Sequence, residues 1–94
     1  MQKYMIKQAY KDAKVSGNKF IIKTNIPYGL GINGVDFYQF VMNAFPEDKQ
    51  KKQITSIDFH DYGLDIIEKN KMGLSFITSL DYSSIVSVVC ITKE

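Results

Sequence analysis

Ninety-four residues, 45% hydrophobic and 23% charged, suit one globular domain and exclude both a two-core protein and a disordered chain. The net charge of +2 is too small to imply a polyanion as partner. All twelve basic residues are lysine, so the planar fork that clamps phosphates or reads guanine edges is unavailable.

The N-terminal MQKYMIKQAY has no apolar core of a signal peptide. The longest apolar run, Ile85–Ile91, is interrupted by Ser87 and is far short of the ~18 residues of a membrane span. A single cysteine, Cys90, excludes an intrachain disulfide and fits a reducing compartment. These features lead us to expect a cytoplasmic protein with no membrane contact. The lysine, asparagine, isoleucine and tyrosine content, without tryptophan, points to an AT-rich coding sequence, as in low-GC bacteria, their phages and mobile elements.

Within residues 3–14, Met5, Ile6, Ala9, Tyr10 and Ala13 share one helical face, and Gly17 and Asn18 provide a stop. The helix is preferred over the competing hairpin, in which AKV and KFII flank a Ser16-Gly17-Asn18 turn. Phe20–Ile26 follows as a strand.

Residues 33–45 read as a central helix, with Asn33 as N-cap, Asp36 three residues on and Pro46 as the stop. Phe37, Phe40, Val41 and Ala44 make one apolar facet; Val35, Tyr38, Met42 and Phe45 make a second beside it. A helix lying on one sheet face needs an apolar stripe of about 100°, and this one is apolar over roughly twice that arc. Pro46 then opens a short polar turn, PEDKQKKQ.

The second half reads as a meander of strands at residues 53–60, 64–68, 74–80 and 84–92. Short turns between them imply antiparallel pairing. The last strand is apolar on both faces, which predicts an interior position with Cys90 buried and inert. The expected fold is therefore α+β. It has a four- to five-stranded, mostly antiparallel sheet, the central helix on one face, and the N-terminal helix as a further candidate for that face.

The one motif-like string is Gly29-Leu-Gly31-Ile-Asn-Gly34, a formal GxGxxG. A dinucleotide site needs further βα units, whereas a meander follows, and Asp36 would repel a pyrophosphate. The inner Gly31-Ile-Asn-Gly34 matches the GXXG of a KH module, but that loop joins two helices and here a strand precedes it. Both are set aside in favour of glycines serving a tight connection. His60 lies near Asp58, Asp61 and Asp65, a set read as solvated strand positions rather than as metal ligands or an acid–base pair. No catalytic set, metal site or cofactor site is expected.

Two functional classes remain. The first is a small non-enzymatic protein-interaction domain, as a homodimer or as a phage or mobile-element factor that binds a host protein. Its expected contact residues are Tyr28, Tyr38, Met42 and Phe45, the apolar excess that one sheet face cannot cover. The second is weak nucleic-acid binding through Lys49, Lys51 and Lys52, joined by Lys69 and Lys71 from a turn.

Overall fold

The computed structural model describes residues 1–48 and 51–92. One α-helix, α1 (Lys3–Ser16), precedes six strands: β1 (Lys19–Gly31), β2 (Gly34–Met42), β3 (Lys52–Phe59), β4 (Gly63–Asn70), β5 (Ser75–Asp81) and β6 (Ile85–Ile91). The fold is α+β, but with two three-stranded antiparallel sheets, ordered β2-β1-β6 and β3-β4-β5, in place of one larger sheet.

The helix forms where its apolar spacing predicts, and it buries Ile6, Tyr10 and Ala13. Gly17 ends it in the left-handed region at φ 77°, donating its N–H to Ala13 O at 2.8 Å. Asn43, at φ 57°, follows β2 and ties the end of that strand to the helix. Its Nδ2 donates to Ala13 O (3.2 Å) and to Asn18 O (3.0 Å).

The expected central helix is a strand. Within residues 33–45, β2 (Gly34–Met42) pairs with β1 as an antiparallel hairpin, in register Phe20↔Met42 and Ile22↔Phe40 near the core and Gly31↔Gly34 at the tip. Asn33 is a turn residue and not an N-cap. The segment is rich in β-branched and aromatic residues, which favour strands. A strand apolar on both faces also reads on a helical wheel as apolar nearly all round, so periodicity misleads here. Of the tip glycines only Gly34 has positive φ, at 127°, a conformation that residues with a Cβ avoid. The GxGxxG string thus lies at a hairpin tip, without the helix that both motif readings required.

Strands β3, β4 and β5 fall close to their expected places, but the last connection is not a hairpin. The 3₁₀ turn Tyr82–Ser84 carries the chain out of the second sheet, and β6 pairs with β1 instead. This makes β1 the middle strand and β6 an edge. Cys90 is consequently exposed rather than buried.

One core joins both sheets and the helix. Phe20, Ile22, Phe40 and Met42 come from the first sheet, Ile54, Ile57, Leu64, Ile66 and Leu80 from the second, and Ile6, Tyr10 and Ala13 from α1. Tyr10 bridges the sheets, its ring centroid 5.9 Å from those of both Phe20 and Phe59. Phe20, Ile6, Ile22, Leu64 and Ile66 are the largest fully buried side chains, each stabilising the fold by about 1.5–3 kcal/mol through removal from water.

Candidate functional site

Two features stand out beside this core, a projecting arm and a cleft at its base. The arm arises because β6 pairs with β1 only as far as Thr24↔Ile85, while the β1–β2 hairpin runs on to Gly31↔Gly34. Thr24 marks the branch point. Its buried Oγ1 donates to Tyr38 O (2.9 Å) and accepts the Ile26 N–H (3.2 Å), holding the irregular register between Lys23 and Pro27. Beyond it, a two-stranded ribbon exposes Tyr28, Leu30, Ile32, Val35, Phe37 and Tyr38. Asp36 is the one charged residue between Thr24 and Asn43.

The four expected contact residues do not form one surface. Tyr28 and Tyr38 meet on the arm, ring centroids 5.0 Å apart and planes at 38°, and both are exposed. Met42 is in the core. Phe45 is half-buried beyond β2, in a turn at Pro46–Glu47, with Lys19 Nζ 5.3 Å from its ring centroid. That turn is closed by Asp48, whose N–H donates to Phe45 O (2.9 Å) and whose carboxylate accepts the Phe45 N–H (2.8 Å) and the Lys19 ammonium (2.7 Å). The Lys19 hydrogen bond, followed by that from Phe45, holds the Asp48 carboxyl below its usual range. Tyr38, Met42 and Phe45 were grouped by a helical wheel, and on an extended chain that grouping dissolves.

The cleft, about 470 Å³, lies between the base of the arm and the second sheet. Ile26, Tyr38 and Phe40 line one side, and Glu68, Leu80 and Lys52 line the other. Glu68 is buried, only 4% exposed. Strand alternation places it with Leu64 and Ile66 on the inner face of β4, opposite Ile54 of β3 and Phe76 of β5. Among the described residues its carboxyl makes no hydrogen bond or ion pair, and burial raises its pKa, offset in part by the charge of Lys52. The Lys52 ammonium itself rests over the Phe76 ring, 4.7 Å from the centroid. Glu68 was legible as a charged residue in step with apolar ones along a strand, but its depth was not.

The expected lysine group is partly described. Lys49 lies outside the described residues, Lys51 and Lys52 are exposed at the start of β3, and the register Lys52↔Asn70 and Gln53↔Lys69 brings Lys69 beside them. Of the aspartates around His60, Asp58 stands opposite Asp65 across the β3–β4 pair, while Asp61 lies 3.8 Å from the Lys3 ammonium. His60 Nε2 lies 3.0 Å from Asp65 Oδ2, and Ser79 Oγ donates to Asp65 Oδ1 at 2.6 Å. Those two bonds, Ser79 first, hold the Asp65 carboxyl below its usual range. The serine proton points to the carboxylate and not to the imidazole, so the nucleophile–base–carboxylate order of hydrolytic triads is absent at this place. No group of three His, Cys, Asp or Glu side chains able to hold a metal occurs among the described residues. Nor is any described helix long and apolar enough to cross a membrane.

No family model, no curated protein and no solved structure matches this chain.

Proposed function

We propose that the chain is a non-enzymatic protein-binding domain that associates with a second copy of itself through the β1–β2 arm. One observation carries this reading: a two-stranded ribbon whose exposed side chains are large, apolar and almost uncharged. Two-stranded hairpins are at best marginally stable alone in water, so the arm gains by being covered. A nearly neutral apolar patch can face its own copy without like-charge repulsion, and both edges of the ribbon beyond Thr24 offer backbone groups for strand pairing. Tyr28 and Tyr38 are rigid amphipathic contact residues of the kind interfaces favour.

The test pairs light scattering with a melting curve. Wild type should scatter as a dimer at micromolar concentration, and a Leu30→Lys/Phe37→Lys variant as a monomer with its melting temperature nearly unchanged. A wild type that stays monomeric throughout would end the self-association reading.

The second reading is non-specific nucleic-acid binding at the end of the second sheet. The strand register that sets Lys69 beside Lys51 and Lys52 favours it. Affinity for arbitrary DNA or RNA that falls steeply with salt would support it.

A further inference from the structure

We propose that the cleft at the base of the arm is a binding site for an organic cation, an ammonium or guanidinium head on an apolar stem, with Glu68 as its counter-ion. This does not rest on self-association.

The volume of about 470 Å³ lies within the range of small-ligand pockets, which are mostly apolar with a few placed polar groups. The lining has that composition. Ile26, Phe40 and Leu80 are apolar, Tyr38 adds a ring edge or face, Gln39, Thr78 and Ser79 add neutral polar groups, and Glu68 supplies the one carboxyl. Buried polar groups in folded proteins are almost always hydrogen-bonded, and buried charges are paired. Glu68 is 4% exposed and has neither kind of partner among the described residues, and its carboxyl oxygens keep their remaining contact with solvent at the cleft. A group left this way is complementary to something that brings positive charge and N–H donors into the cleft. A carboxylate repels anions and accepts from any N–H or O–H donor, and a cationic donor adds a charge attraction that a neutral one lacks. The apolar walls select a cation carried on a hydrocarbon stem, and the aromatic rings add attraction to its head.

Lys52 is the competing cation. It lines the same cleft, but its ammonium sits on the Phe76 ring and forms no ion pair with Glu68. A bound ligand cation takes the place nearest the carboxyl that Lys52 leaves open, and the two positive charges repel. Removing the lysine charge therefore strengthens binding of a cation and weakens binding of an anion or zwitterion. Pairing also favours the ionised form of Glu68, so affinity rises as pH increases through the Glu68 titration.

The chemistry has two possible sources, a free amine or a lysine side chain of another protein, and the probes separate them. Calorimetric titration uses hexylammonium, hexylguanidinium and the blocked tripeptide acetyl-Gly-Lys-Gly-amide, with hexanol and hexanoate as controls. Expected are saturable binding of the cations to wild type and affinity about ten- to a hundredfold lower in Glu68→Gln, the loss typical of a charged hydrogen-bond partner. Lys52→Met should bind the cations more tightly, and hexanol and hexanoate should bind weakly or not at all. Tighter binding of the free amine assigns the site to a small molecule, and tighter binding of the tripeptide assigns it to a protein side chain. The proposal is overturned by the absence of saturable cation binding at neutral pH, by equal affinity of hexanol and hexylammonium, or by a Lys52→Met variant that binds cations more weakly. The pH dependence of wild-type binding gives a reading that needs no substitution, and a flat profile through the carboxyl range also overturns it.

Discussion

Replacing Glu68 by methionine should make the protein more stable, by an amount that depends on pH. The side chain is 4% exposed, flanked by Ile54 and Phe76 across the strands, and has no hydrogen-bond or ion-pair partner among the described residues. No side-chain nitrogen or oxygen among the described residues is both fully buried and unpartnered, so the Glu68 carboxyl keeps some water at the cleft. Its desolvation is partial, and an apolar group of similar shape removes a cost of about 1 kcal/mol. Lys52 is exposed and retains water as a partner, so losing a carboxylate with which it forms no ion pair costs it little. For a domain of this size the gain corresponds to roughly 4–8 °C in melting temperature.

The sign of the pH dependence follows from burial, which raises the Glu68 pKa from its ordinary value of 4.5. A raised folded-state value means that the favourable contribution is complete below 4.5 and is lost as pH rises through the folded value. Methionine has no such loss, so the advantage of Glu68→Met should be larger at about pH 7 than at about pH 4. Urea unfolding at both pH values, with the slope checked for constancy, measures the difference. A variant less stable than wild type near neutral pH, or an advantage that ignores pH, would refute the account of Glu68 as a buried, unpartnered acid. A gain in stability would mean that the native residue is held at a stability cost, as residues of functional sites commonly are.

Gly63→Ala tests the packing of the second sheet. The added methyl would run into the Leu80 carbonyl oxygen, with Leu80 C at 3.2 Å and Asp81 Cα at 3.4 Å. All three atoms are backbone of the paired strand and cannot step aside, so the urea midpoint should drop by the equivalent of about 1–3 kcal/mol; an unchanged midpoint would contradict the register Gly63↔Asp81. Cys90, exposed on the edge strand, should be labelled by a maleimide in the folded protein. Its rate should keep rising above the pH where a free thiol levels off, because loss of water around the sulfur and then the Asp12 carboxylate raise its pKa. Labelling that waits for unfolding would place Cys90 inside.

Much of the chain was determined locally and was readable as such. The face of Met5, Ile6, Ala9, Tyr10 and Ala13, closed by Gly17, favours α1 over the competing hairpin, and Ile6, Tyr10 and Ala13 are the part of it that the core buries. Alternation and turn residues likewise specify β3, β4 and β5, because neighbouring strands joined by short turns pair with each other. Residues 33–45 could not be read in this way. Apolar over a wide arc broken by Asp36, Gln39 and Asn43, they satisfy a helical and an extended period alike, and pairing with β1 decides between them. Pairing with a distant strand likewise decides the place of β6, whose apolar run suits an interior strand but which becomes an edge when the chain crosses to β1 at Tyr82–Ser84. The meeting of Tyr28 with Tyr38 and the burial of Met42 follow from the β1–β2 pairing. The arm exists because β6 stops at Thr24, and the cleft because the arm's base faces a sheet from the other half of the chain. Such contacts are set by which surfaces are left to cover once the local elements have formed, a property of the whole chain that no short stretch of sequence carries.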